Sequence, residues 1–402
     1  MNKYNLIVFL TGIFIVSVVC NINGAGSSDT PVSGSQQFYN DAWEKGGHSN
    51  DDLPNKINRK ALTEVNHRGC LVCHAEQRFV EWAKMDFATF NLNSSSFSAL
   101  PEGKGKAVTC NTCHELESNK TPTHKDPLLR LKGDKPFELM SGFKVKEYLG
   151  RGAICMLCHN SAQGAIRDSA DTILRSARTP HIPAQGDVFM GENFYFVEEK
   201  YSTYHIGSID NTCTVCHMGS TLLGTKPTDH TFKADFQVCL DCHEGEFDPE
   251  TVQNELVAEI DVLKKSVGSA VGSFIQIGLD NGQLKLKNVT ETGREDRDIT
   301  SFPGGKVSDV VIRYYHGARQ AVNLKIDGKP YLTTLDQLES QGVKLMSTAQ
   351  GQVIAKVGWN VIMLDHDRSG GIHNPSFVYD MIYASLKKLE ETDFSVITLL
   401  KK

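Results

Sequence analysis

The chain has 402 residues, with 42 Lys and Arg against 48 Asp and Glu and a formal charge of −6. That length suffices for two or three domains with a sizeable core, and an acidic balance without any basic stretch argues against nucleic acid as a partner. Cysteine is the outlier: 11 residues, ten of them in five tight pairs.

At the N-terminus Lys3 precedes "LIVFLTGIFIVSVV" (6–19), an uncharged apolar run followed by Gly24, Ala25 and Gly26. The run is shorter than the roughly 20 residues of a membrane span and has the layout of a secretory signal. The expectation is a signal peptide over residues 1–25, cleaved near Ala25, and a mature protein in the periplasm or outside the cell. Membrane association then needs an uncleaved signal or a lipid on Cys20, and Val19 stands where lipidation sites want a small residue.

The pairs read "CLVCH" (70–74), "CNTCH" (110–114), "CMLCH" (155–159), "CTVCH" (213–217) and "CLDCH" (239–243). Disulfides suit an exported chain, and Cys-x-x-Cys also suits zinc or thioredoxin-like redox sites. None of these requires a histidine after every second cysteine, and all five pairs have one. Cys-x-x-Cys-His is the attachment pattern of c-type haem. Two thioether bonds fix one haem edge, here from Cys70 and Cys73, Cys110 and Cys113, Cys155 and Cys158, Cys213 and Cys216, and Cys239 and Cys242. The following histidine, His74, His114, His159, His217 or His243, then supplies the proximal nitrogen to iron. The expected cofactors are five covalent haem c groups.

The motifs start 40, 45, 58 and 26 residues apart, too irregular for tandem repeats. Residues 26–250 have little periodicity, although "QRFVEWAKM" (77–85) reads as a helix. Such a segment makes a poor core by itself. Five flat apolar cofactors fastened to the chain supply one, so the segment should not fold without them. The expected fold is a multihaem cytochrome c: a mostly irregular, short-helical chain wrapped around a haem stack over 26–250, with a smaller C-terminal α+β region over 251–402.

In that last region "PETVQNELVAEIDVLKKSV" (249–267) places Val252, Leu256, Ile260 and Leu263 at helical spacing. "GQLKLKNVT" (282–290) alternates like a strand, as "DVVIRYYHG" and "AVNLKIDGKPYLT" also do, with Asp327-Gly328 as a turn. "NPSFVYDMIYASLKKLE" (374–390) predicts a helix capped by Asn374, with Pro375 in its first turn. "DHDRS" (365–369) reads as loop-shaping polar residues rather than a metal or catalytic cluster.

Haem iron has a second axial position, and nine histidines remain to fill five of them: His48, His67, His124, His181, His205, His230, His316, His366 and His373. Short stretches around some of them resemble exported multihaem c-type cytochromes of metal-respiring and nitrogen-cycling bacteria. "WEKGGHSN" (43–50) is similar to that group's Trp-x-x-Ser-x-His-Ala, with Gly46 for Ser. "RTPHIPAQGDVFMG" (178–191) resembles its Pro-His-x-Gly-Pro-Gln, with Ala184 departing, and "YHIGSIDNTCTVCHM" (204–218) its His before a Cys-x-x-Cys-His-Met. "DHTF" (229–232) is similar to its Gly-Gly-His-Thr-Phe, and "GGIHNPSF" (370–377) to its Gly-Val-His-Asn-Pro-x-Tyr. The resemblance implies that His48, His181, His205, His230 and His373 are the distal ligands, five for five haems. His67 and His124 are the reserves, and His316 and His366 are ordinary polar residues.

Three functions compete. With both axial positions filled by histidine, the chain is an electron carrier working with other redox proteins, cytochromes foremost, and its acidic surface favours basic partner patches. The order of the last motifs is also similar to five-haem ammonia-forming nitrite reductases, which implies reduction of nitrite, hydroxylamine or a sulfur oxyanion at one open haem. Those enzymes hold their active haem through Cys-x-x-Cys-Lys, which this chain lacks. The third reading is self-assembly into an extracellular filament, one chain's histidine capping a haem of the next.

Overall fold

Each attachment motif forms about one helical turn in this computed structural model. It describes residues 36–394 except 64–68, 88–98, 119, 121–126, 163, 165–171, 220–227, 244–246, 283, 290–294, 302–303 and 316–318. The expected signal peptide, Cys20, His67, His124 and His316 lie outside the described residues. The amide of the motif histidine donates to the carbonyl of the first cysteine at 3.3 Å for His74 and Cys70, and at 2.9 Å for His114 and Cys110, His159 and Cys155, and His243 and Cys239. The fourth motif lies in the helix Cys213–Met218. A helical turn puts positions i, i+3 and i+4 on one face. That is why two thiols and an imidazole at this spacing can serve one flat ligand.

The chain around the motifs is made of short pieces. Its longer helices are Gln36–Lys45, Asp52–Thr63 and Glu76–Lys84, the last matching the sequence expectation for 77–85. A two-stranded ribbon, Phe137–Glu138 with Lys144–Val145, is the sheet structure described there. The apolar clusters are correspondingly small. One holds Val72, Phe79, Trp82, Phe87, Ile154 and Leu157, and another is built on Leu139, Val145, Leu149 and Met156.

The large core lies elsewhere. A helix Pro249–Asp280 begins where Asp248 accepts from the Glu250 amide (3.1 Å) with Pro249 in the first turn. It runs 13 residues beyond the 249–267 expected from periodicity. Gly268, Gly272 and Gly278 hide that extension in the sequence, because glycine disfavours helix. Here the glycines are packing devices: a β-carbon on Gly268 would stand 2.1 Å from the Val310 carbonyl oxygen on the strand Val307–Tyr315. Gly268→Ala should force helix and strand apart and cost about 1–3 kcal/mol, read as a lowered midpoint in chemical denaturation of the C-terminal region.

The strands form one antiparallel sheet in the order Glu295–Ser301, Leu286–Val289, Lys329–Thr334, Arg319–Ile326, Val307–Tyr315. Asp327 and Gly328 turn the last-formed hairpin with positive φ (47° and 81°), as the Asp-Gly signal predicts. Strand Glu295–Ser301 and helix Ala349–Asp367 have no counterpart in the sequence expectations. The helix is buried on nearly every side, from Gly351 to Asp367, so it has no polar stripe from which to read a period. No helix among the described residues is long and apolar enough to cross a membrane.

The helix Ala349–Asp367 also grips the segment that carries the Cys-x-x-Cys-His motifs. Gln352 brackets Leu174, accepting from its amide and donating to its carbonyl (2.8 and 2.9 Å). Asn360 does the same to Tyr195 (2.9 Å each), and the Trp359 indole donates to the Asn193 carbonyl (2.7 Å). Leu174, Ala177, Val188 and Phe194 therefore belong to the C-terminal core. The composition changes near residue 250, but the packing reaches back to residue 174.

Candidate haem-binding sites

The structure sets every motif histidine opposite one of the five histidines that the resemblance singled out. Ring centres are 6.0 Å apart for His48 and His159, 6.2 Å for His74 and His181, and 6.4 Å for His114 and His230. They are 6.2 Å apart for His205 and His243, and 6.1 Å for His217 and His373. The pairing is one to one. A metal bonded to two imidazole nitrogens at about 2.0 Å each, each nitrogen about 1.1 Å from its ring centre, separates the ring centres by roughly 6 Å. The residues present thus fit a bis-histidine iron at five places. The pairs cross in sequence: His48 precedes all motifs yet faces the third, and His373 faces the fourth.

Burial pushes His48, His114, His181, His205, His217 and His230 below the usual imidazole range. It takes His74 and His159 down to about 4. Neutral rings are the form that ligates metal. Ring orientation is fixed from behind. The Nδ1 atoms of His114, His217 and His230 bond to the carbonyls of Pro127 (2.7 Å), Phe232 (3.1 Å) and Thr228 (3.1 Å). That of His159 bonds to Gln185 Oε1 (3.2 Å). Such bonds leave Nε2 free to face a metal.

The fourth pair differs. His373 Nδ1 lies 2.5 Å from Oδ1 of Asp367, whose side chain is wholly buried. Burial pushes His373 down, but the Asp367 charge and hydrogen bond outweigh it and the net direction is upward. The sequence expectation of a loop-shaping role for Asp365–Ser369 is therefore corrected. Asp365 to Asp367 are the last turn of the buried helix, and Arg368 ends it in the left-handed region (φ 58°). Asn374 is corrected too. It precedes the helix Pro375–Glu390 without a side-chain cap, and its amide instead donates to the Tyr201 carbonyl (3.0 Å), pinning the His373 turn to residues 189–201. His366 is more than an ordinary polar group: it is buried and lies edge-on to Tyr314.

The motifs also touch one another. Cys158 lies beside Cys73 and Cys155 beside Cys213, while Cys113 lies near both Cys155 and Cys158, and Cys73 Sγ is 3.8 Å from the Leu157 carbonyl inside the third motif. Cys216 has Cys239 as a neighbour. The third motif thus adjoins the first, second and fourth, and the fourth adjoins the fifth.

Among the described residues no group of three or more His, Cys, Asp or Glu side chains is placed to hold a metal ion. No family model, no curated protein and no solved structure matches the chain.

Proposed function

We propose that this chain is an electron-transfer protein carrying five covalent haem c groups, each iron held between two histidines. The observation that carries the reading is the one-to-one pairing of motif histidines with His48, His181, His205, His230 and His373 at 6.0–6.4 Å. Haem supplies a one-electron iron couple when bound. The ten thiols anchor the groups, and the ten imidazoles occupy both faces of each site. Substrate is thereby kept off the metal. The adjacency of the motifs supports a branched relay, with the first and second sites meeting at the third and the path continuing through the fourth to the fifth. The fifth is the most open: Leu240 inside its motif is 45% exposed and Tyr204 beside His205 is 72% exposed. It is the natural contact for a redox partner.

The pairing favours the carrier over a reductase, which would use an iron with an open face, and over a filament joined by lent histidines, which would take a distal ligand from another chain. Haem counting and electron paramagnetic resonance of the exported protein test the reading. The expected result is five haems per chain and only low-spin ferric signals. A high-spin signal that shifts on adding nitrite would overturn it in favour of the reductase.

A further inference from the structure

The structure points to a second role for the fourth pair. We propose that Asp367 is a positioning residue that makes the His217–His373 site the most reducing of the five, so that it is the highest step in the relay. The inference rests on the electron-transfer reading and deepens it.

Three observations carry it. First, the partner of the His373 ring is a carboxylate, whereas the ring partners of His114, His217 and His230 are carbonyls, that of His159 is an amide and that of His205 is the Thr203 hydroxyl (3.4 Å). A carboxylate on Nδ1–H makes the ring a stronger donor through Nε2, which stabilises ferric over ferrous iron. Second, the Asp367 side chain is fully buried against the His373 ring. A carboxylate charge there is little screened. Charge and hydrogen bond act in the same direction. Third, the carboxylate is held in place: Ser369 Oγ donates to Oδ2, Ser369 N lies 3.4 Å from the same oxygen, and the residue ends a helix buried almost throughout. Asp229 lies near His230, but its oxygens accept from the amide and hydroxyl of Thr231 (2.8 Å each).

The test is a redox titration of the holoprotein followed optically and by electron paramagnetic resonance. Asp367→Asn keeps an acceptor for Nδ1–H and removes the charge. It should raise the lowest of the five midpoints by at least a tenfold change in equilibrium constant, ~59 mV for one electron, with five haems still attached and low-spin. The centre that moves must be the one that turns high-spin in His373→Ala. Asp365→Asn, one turn-mate away and paired with Lys264 at the surface, should leave all five midpoints in place. Ser369→Ala is the second probe: freed of that donor, the carboxylate pulls harder on His373, and the same midpoint should fall. If Asp367→Asn and Ser369→Ala both leave every midpoint unmoved in protein with five low-spin haems, the role of Asp367 is refuted and the relay stands. If the parent protein lacks low-spin bis-histidine signals, the relay itself fails.

Discussion

Chain in which all ten motif cysteines are replaced by serine should keep the sheet and the helices Pro249–Asp280, Ala349–Asp367 and Pro375–Glu390, and lose folded structure from residue 36 to about 170. The two halves have unequal cores. From Leu256 to Leu389 most of the buried apolar side chains form one continuous cluster. Before residue 170 the clusters are separate groups of about half a dozen residues or fewer, one of them leaning on the motif cysteines Cys73, Cys113, Cys155 and Cys158. Such groups are far too small to offset the ordering entropy of more than a hundred residues, about 1–2 kcal/mol each. Amide exchange should show protection in the C-terminal helices and none along 36–114. Residues 174–201, gripped by Gln352, Trp359 and Asn360, should keep part of theirs. Full protection across the motif region would show that the polypeptide packs without cofactor.

His48→Met should disable the relay more severely than the same change at any end site. Replacing one histidine ligand by a thioether raises a haem potential, here on the order of 0.1 V, which for one electron is roughly 50-fold in equilibrium constant. His48 faces His159, in the motif that adjoins the first, second and fourth. A raised potential there makes the junction a trap, and electrons entering at the first or second site should stay on it. His205→Met, facing His243 in the fifth motif, should instead trap electrons at the exit. Stopped-flow reduction followed at several wavelengths separates the two. If both variants pass electrons to an external acceptor at the parent rate, the third site is not a junction.

The five motifs of the candidate site were legible in the sequence because the attachment proposed for them is local. Two thiols and an imidazole on one turn need fixed spacing, and spacing survives in a string of letters. Which histidines pair face to face was not legible without the resemblance. His48 finds His159 from 111 positions away in the chain, and only packing decides that. Asp367 was misread as loop chemistry because the helix that ends on it is buried nearly all round and shows no period. Gln185 reads as a polar residue until its two ends are seen, one on His159 and the other on the Asp367 carbonyl (2.9 Å). The expected strands and the Asp-Gly turn appear where β-branched residues alternate. The strand Glu295–Ser301, "EDRDITS", has too few apolar residues to announce itself.

The crossing of the histidine pairs sets a timetable for a chain that emerges from its N-terminus. The first and second motifs appear early but cannot be closed until His181 and His230 follow. The earliest site to be complete is the third, whose distal ligand has been waiting since residue 48. The first, second and fifth then close in turn as residues 181, 230 and 243 arrive. The fourth stays open through about 130 further residues, until the C-terminal helices deliver His373 already locked to Asp367. The site proposed to have the strongest donor would thus be sealed last, by the part of the molecule that has its own large apolar core.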